Sequence, residues 1–255
     1  MPETRPPIHA LIIGDAGGGK STVAATFPKP MLVHSFDPLG KEIPYLKVGD
    51  MQPVQLPIPG GTPYRDVVSK KSGKLLIRIR YYLDADMTHP DAYRRLLADL
   101  AKLQAEYAEW ATVVFDSTTF AELAARKWHQ YGLNPQAKDP RQWFGGSTDL
   151  LEELIMGRVA ALPMNAVVIA HVDEEKDELH GMMLRSPKLP GRLRKGAASA
   201  FPELYRAFVG KDGDTGERVH LLQTQADAIW NCASQINAPN PCVPYYSALW
   251  GGWEG

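Results

Sequence analysis

Residues 14–21 read Gly14-Asp15-Ala16-Gly17-Gly18-Gly19-Lys20-Ser21 and fit the phosphate-binding P-loop pattern G-x-x-x-x-G-K-[ST]. An apolar run of strand length, residues 8–13, precedes this stretch, and residues 21–27 after it can form a helix that Pro28 closes. Glycines let backbone N–H groups point at a polyphosphate, and the helix N-terminus adds positive charge. The stretch therefore predicts an α/β fold with a nucleotide-phosphate site.

Each part of this loop has an expected task if it binds ATP and Mg²⁺. Lys20 is expected to reach the β- and γ-phosphates, and the Ser21 hydroxyl is expected to bind the metal. The alternative, a glycine-rich turn that binds nothing, is disfavoured by the match and by its flanks. The predicted nucleotide-binding residues are Gly14, Asp15, Ala16, Gly17, Gly18, Gly19, Lys20, Ser21 and Thr22.

Composition limits the classes of protein to which the chain can belong. Its 255 residues, 44% of them hydrophobic and 22% charged, suit one soluble domain with a sizeable core. Because the formal net charge is only -1, binding of nucleic acid would require a local basic surface. The two cysteines are too few for a disulfide framework or a four-cysteine zinc site. With no apolar stretch typical of a signal peptide or a membrane span, we expect a cytoplasmic location and no membrane partner.

A second candidate site residue is Asp116, which ends the apolar run of residues 111–115. Such a run predicts a buried parallel strand, with the acid at its ligand-facing end. In a P-loop protein an aspartate there holds Mg²⁺, usually through water, and the alternative is a cap for the next helix. The next residue is Ser117 rather than glutamate, so an acid that activates water must come from elsewhere.

Two more polar residues, Asp37 and His171, follow apolar runs at residues 31–36 and 163–170. The carboxyl ends of parallel strands are where open α/β sheets bind ligands. Asp37 can polarise a water, contact the nucleotide or form a turn before Pro38. His171 can sense the γ-phosphate or have a purely structural role.

A basic loop follows the predicted His171 strand. Pro190-Gly191 predicts a bend rather than a helix in it. Three roles for this loop stay open. It can be a solvated surface, it can contact the phosphates of single-stranded DNA, or it can supply an arginine finger to a neighbouring subunit's nucleotide. Its candidate residues are Lys188, Arg192, Arg194 and Lys195.

Periodicity and turn residues predict the remaining elements. We expect helices at residues 90–110, 119–131, 148–162 and 199–204, a polar loop at 134–146, and hairpins at 67–79 and 205–224. An irregular insertion covers about 41–79, and residues 226–255 form an irregular tail.

The order of these features resembles the RecA-like core, and more narrowly the small phage RecA-like ATPases, AAA-type nucleotide-binding proteins associated with single-strand annealing. The resemblance spans roughly residues 8–225 and is carried by residues 14–21, 113–117, 169–171, 189–192 and 201–205. It implies ATP hydrolysis coupled to single-stranded DNA binding, annealing or strand exchange. It also implies that the activating acid ends the second strand, where this chain has Asp37 in place of the common glutamate.

The expected protein is a three-layer α/β P-loop NTPase, RecA-like, with a mainly parallel sheet and an appended antiparallel hairpin. Residues 1–225 would form the ATPase domain of a homo-oligomer that acts on single-stranded DNA. Two alternatives stay open, a nucleotide or metabolite kinase and an ATP-dependent loading module with little turnover. A kinase needs an acceptor pocket and an arginine-rich lid, and no acceptor pattern is evident in the sequence.

Overall fold

The computed structural model describes residues 5–56, 61–176, 183–211 and 215–252. The strands are His9–Ile13 (β1), Met31–Ser35 (β2), Asp50–Met51 (β3), Tyr64–Val68 (β4), Leu75–Tyr81 (β5), Thr112–Asp116 (β6), Asn165–Ala170 (β7), Val172–Lys176 (β8), Met183–Pro187 (β9), Glu203–Lys211 (β10), Arg218–Gln223 (β11) and Ala233–Ser234 (β12).

The helices connect these strands, and several of them continue as short 3₁₀ or π-helical turns. They are Lys20–Ala24 (α1), Ile43–Leu46 (α2), Ala92–Leu103 (α3), Thr118–Lys127 (α4), Pro140–Glu152 (α5), Leu193–Ala200 (α6) and Tyr246–Leu249 (α7). Within the described ranges, no helix has the length and apolar character needed to cross a membrane.

One mixed sheet forms the centre of the molecule, in the order β11-β10-β1-β7-β6-β2-β5-β4-β3. Its six central strands, from β10 to β5, are parallel to one another. β11 adds an antiparallel hairpin to β10, and β4 pairs antiparallel with β5. This arrangement confirms the predicted α/β class, with the P-loop strand β1 separated from the Asp116 strand β6 by β7.

Apolar side chains on both faces of the sheet produce three layers. Val113 and Phe115 of β6 belong to one buried cluster, which includes residues of α3, α4, α5 and α6. Val114 faces the opposite cluster, which includes residues of α1 and α7. Because successive side chains of a strand point to opposite faces, a continuous apolar run is what a doubly covered strand requires.

The predicted insertion and tail both contribute to this core. The insertion, about residues 41–79, contains β3, β4 and β5, and β5 lies parallel to β2 as part of the main sheet. In the tail, β12 pairs with β10, the Tyr246 N–H donates to Thr26 Oγ1 at 2.9 Å, and Trp250 is 5% exposed. The division of the chain at residue 225 stays a prediction.

The local structure was predicted wrongly in two places, residues 134–146 and residues 193–204. The loop expected at residues 134–146 ends early, because α5 begins at Pro140, where the Asp139 carboxylate accepts a hydrogen bond from the Arg141 N–H. The bend predicted at Pro190-Gly191 is present, since Gly191 has a φ of 49° and the Leu193 N–H donates to the Pro190 carbonyl oxygen at 3.1 Å, but residues 193–195 belong to α6. The helix predicted at 199–204 ends at Ala200, and Glu203 begins strand β10. Leu193, the first residue of α6, is buried in the core, and this packing favours a helix from that residue onward.

Candidate nucleotide site

Strand register brings the predicted site residues to one edge of the sheet. Ile13 of β1 is aligned with Ala170 of β7, so the next residues, Gly14 and His171, leave the sheet side by side. Ser35 of β2 is aligned with Asp116 of β6. Asp37 therefore follows its strand beside Asp116. Because β1, β7, β6 and β2 are parallel neighbours, all four strands end at the same edge of the sheet.

These strand ends surround a cleft of about 420 Å³. Lys20, Ser21, Asp37, Asp116 and His171 all line it, so the structure brings together the catalytic and metal-binding residues that the sequence predicts. The complete lining is Ala16, Gly17, Gly19, Lys20, Ser21, Thr22, Asp37, Gly40, Lys41, Ile43, Pro44, Asp116, His171 and His220.

The glycine loop packs closely against β10. A Cβ atom on Gly14 would lie 2.3 Å from the Ala207 carbonyl oxygen, and one on Gly18 would lie 2.7 Å from the same atom. Lys20 folds over the loop and donates hydrogen bonds to the carbonyl oxygens of Gly14 and Asp15, each at 2.8 Å. Burial lowers the pKa of Lys20, although the nearby carboxylate of Asp116 opposes that shift. The ammonium is thus held at the loop, where a phosphate would accept its hydrogen bonds.

Asp116 is the more deeply buried of the two carboxylates that line the cleft. Its Oδ2 accepts hydrogen bonds from Ser21 Oγ at 2.7 Å and from the Tyr45 hydroxyl at 2.8 Å. Burial raises its pKa to about 6, and the neighbouring charge of Asp37 contributes to that rise. A hydroxyl and a carboxylate are hard oxygen donors, and Mg²⁺ is commonly held by one or two carboxylates together with substrate phosphates. Ser21 and Asp116 therefore fit the metal that a nucleotide would bring.

Asp37 is oriented by the residue that stands where many P-loop ATPases have a glutamate. Its Oδ1 accepts hydrogen bonds from Ser117 Oγ at 2.6 Å and from the Ser117 N–H at 3.2 Å. Within the described ranges, the structure gives no hydrogen-bond donor to Oδ2. One oxygen is thus anchored, and the carboxylate faces the cleft with the other available to a water.

Asp37→Asn is expected to lower kcat on the order of a hundredfold with little change in ATP affinity. The asparagine carbonyl can still accept the two hydrogen bonds from Ser117, but its amide cannot accept a proton from water. Steady-state hydrolysis and equilibrium nucleotide binding separate the two effects. Collapse of ATP affinity with kcat retained at saturation would instead make Asp37 a nucleotide-binding residue.

His171 is half-buried at the carboxyl end of β7 and lines the cleft. Burial lowers its pKa, and the charge of Lys20 lowers it further. The ring is therefore neutral at neutral pH, with one nitrogen available to donate a hydrogen bond and the other to accept one. Its carbonyl oxygen accepts a hydrogen bond from the Lys188 N–H at 2.7 Å, which links the strand end to the basic loop.

The basic loop lies outside the cleft lining, and its arginines make ion pairs within the chain. Arg192 donates to Glu152 at 2.7 Å and to Asp149 at 2.9 Å, on α5. Arg194 donates to Asp173 at 2.8 Å. Lys188 is exposed, and the side chain of Lys195 lies outside the described part of the structure. The role of these four residues stays a prediction.

Sequence reasoning missed three groups at the cleft. Tyr45, buried on α2, hydrogen-bonds Asp116, and Lys41 lines the opening from the same irregular segment. His220 of β11 lies with Nδ1 3.3 Å from the Gly18 carbonyl oxygen. No local pattern marks Tyr45 or Lys41. The hairpin that carries His220 was predicted, but its position over the P-loop depends on the pairing of β10 with β1.

The fold and this site define a P-loop nucleotide-binding protein. A family model described as an AAA domain matches residues 7–227, and the chain belongs to that family, the AAA-type P-loop ATPases. A search of curated proteins found no match.

Proposed function

We propose that the protein is a Mg²⁺-dependent ATPase that acts on single-stranded DNA in phage-type recombination or annealing. The observation that supports hydrolysis is the grouping of Lys20, Ser21, Asp116 and Asp37 around one cleft. Lys20 binds the terminal phosphates, and Ser21 and Asp116 hold the metal, which neutralises charge on the β- and γ-phosphates. Asp37 orients the attacking water and accepts its proton.

The DNA part of the proposal rests on the resemblance to phage annealing ATPases and on the link between His171 and the basic loop. The hydrogen bond from the Lys188 N–H to the His171 carbonyl connects a cleft residue to this loop. A shift of His171 on loss of the γ-phosphate would therefore move the loop through this hydrogen bond. Because Arg192 is 70% exposed, its surface ion pairs are worth little, and DNA phosphates can compete for the guanidinium.

The double variant Arg192→Ala, Arg194→Ala is expected to bind single-stranded DNA more weakly. Each lost phosphate contact should reduce the slope of log K against log salt by roughly 0.7. Fluorescence anisotropy with a labelled oligonucleotide, repeated over a salt series, measures both quantities. Arg141→Ala is a matched control, since Arg141 is an exposed arginine that pairs with Asp139 outside this loop. Unchanged DNA affinity and salt slope would contradict a contact between this loop and DNA.

The same double variant tests a homo-oligomer in which the loop completes a neighbour's site. In that case DNA binding persists, turnover falls, and mixing with a Lys20→Ala protein restores part of the activity, because intact arginines then meet intact P-loops. Normal DNA binding together with normal turnover would leave the loop as a solvated surface.

A further inference from the structure

The segment that follows β2 forms one wall of the nucleotide cleft, through Gly40, Lys41, Ile43 and Pro44. Its beginning is a tight turn, in which Gly40 has a left-handed φ of 97° and its N–H donates to Glu42 Oε2 at 2.5 Å. Its end is fixed by Tyr45, whose hydroxyl donates to Asp116 at 2.8 Å. Lys41 stands between these two anchors.

A buried carboxylate attaches this segment to the sheet. Glu42 is 6% exposed, lies 3.9 Å from the Arg65 guanidinium of β4, and accepts a hydrogen bond from the Tyr81 hydroxyl of β5 at 3.5 Å. The wall is therefore held by the sheet on one side and by Asp116 on the other. Such support fixes the backbone of the neighbouring Lys41, whose long side chain lies within reach of the cleft.

Lys41 carries a positive charge at the cleft that no described residue pairs with. Its side chain is exposed, and the described residues give its ammonium no hydrogen bond or ion pair. Burial is the main cause that lowers the pKa of Lys20 and of His171, and the charge of Lys41 lowers both pKa values further. Its ammonium thus acts electrostatically on the two residues expected to meet the γ-phosphate.

Among the described residues that line the cleft, Lys20 and Lys41 are the ammonium groups, and arginine is absent. Hydrolysis spreads negative charge over the oxygens of the γ-phosphoryl group, and cations placed there beforehand stabilise that charge. We infer that Lys41 is a second phosphate-binding cation, supplied by the same chain, that contacts the γ-phosphate of bound ATP. This inference rests on the proposed ATPase function and assigns a residue to it.

Lys41→Ala is expected to weaken binding of a non-hydrolysable ATP analogue with Mg²⁺ on the order of tenfold, while ADP affinity changes less than about twofold. Lys41→Arg should keep most of the analogue affinity, because the charge remains. The matched control is Lys47→Ala, which removes an exposed lysine at the end of α2, outside the cleft lining. The melting temperature of Lys41→Ala should equal that of wild type, since the side chain has no partner within the described residues to lose.

Calorimetric titrations of wild type, these three variants and Lys20→Ala with both nucleotides decide between the outcomes. Equal losses for the analogue and for ADP would overturn the γ-phosphate contact. Unchanged affinities in Lys41→Ala, with nucleotide binding lost in Lys20→Ala, would overturn the role of Lys41 and leave the proposed ATP site intact. Failure of the wild-type protein to bind either nucleotide would overturn the proposed ATP site and, with it, the role of Lys41.

Discussion

Replacing Lys20 with alanine is expected to lower ATP hydrolysis on the order of a thousandfold while the fold remains intact. The ammonium lies at the P-loop, 2.8 Å from the carbonyl oxygens of Gly14 and Asp15, and is the group best placed to meet charge that develops on the γ-phosphate. Loss of such a contact from a buried ammonium raises the barrier by several kcal/mol. Phosphate release under saturating ATP and Mg²⁺ measures the effect.

The matched control for this variant is Lys29→Ala. Lys29 is also a partly buried lysine whose ammonium donates to backbone carbonyls, those of Ala25 and Phe27, and burial lowers its pKa to about 8. It lies beyond the end of α1 and does not line the cleft. Its removal should leave turnover within about twofold of wild type. Comparable losses in both variants, with lowered melting temperatures, would attribute the effect of Lys20 to stability rather than to phosphate binding.

Asp116→Asn is expected to abolish Mg²⁺-dependent turnover and, at the same time, to stabilise the metal-free protein at neutral pH. The activation barrier should rise by several kcal/mol, and turnover should fall on the order of a thousandfold, because an amide binds Mg²⁺ far more weakly than a carboxylate. Nucleotide affinity without metal should change little. Titrating Mg²⁺ into hydrolysis and binding assays separates the two.

The stability gain follows from the raised pKa of Asp116, from 3.8 to about 6. The folded state holds the Asp116 proton more tightly than the unfolded state does. The stability that this carboxyl contributes is therefore fully present below about pH 4 and is lost as pH rises through 6. At pH 7.5 the ionised, buried carboxylate costs about 2–3 kcal/mol, which the asparagine avoids. The difference in unfolding free energy between variant and wild type should therefore vanish near pH 4.

Denaturant unfolding in EDTA at pH 4 and pH 7.5 measures that difference. Asp99→Asn is the control, since Asp99 also accepts a tyrosine hydroxyl, that of Tyr82 at 2.9 Å, but lies away from the cleft lining. It should keep Mg²⁺-dependent turnover. An Asp116→Asn protein that retains Mg²⁺-dependent turnover would contradict the metal-binding role.

The sequence was sufficient to predict those parts of the site that follow from a local pattern and one rule of sheet geometry. Residues 14–21 form a recognisable loop, Asp116 ends a buried strand, and Asp37 and His171 each follow one. Because the strands are parallel, their carboxyl ends meet at one edge, and all three side chains line the same cleft.

The parts that could not be predicted depend on contacts between distant segments. Tyr45 donates to an acid 71 residues away, and nothing in its proline- and glycine-rich surroundings indicates that contact. Arg192 is similarly paired with Asp149, 43 residues earlier, and the sequence of the basic loop gives no sign of that partner. The early start of α5 was hidden because its first turns are polar and aromatic rather than periodic.

The most direct test of the proposed function is phosphate release from ATP by the wild-type protein, measured with Mg²⁺ or EDTA and with or without single-stranded DNA. We predict Mg²⁺-dependent release that DNA accelerates, with no phosphorylated acceptor among the products. Release that is equal in EDTA, or phosphate transferred to an acceptor instead of to water, would contradict an ATPase site built from Lys20, Ser21, Asp37 and Asp116.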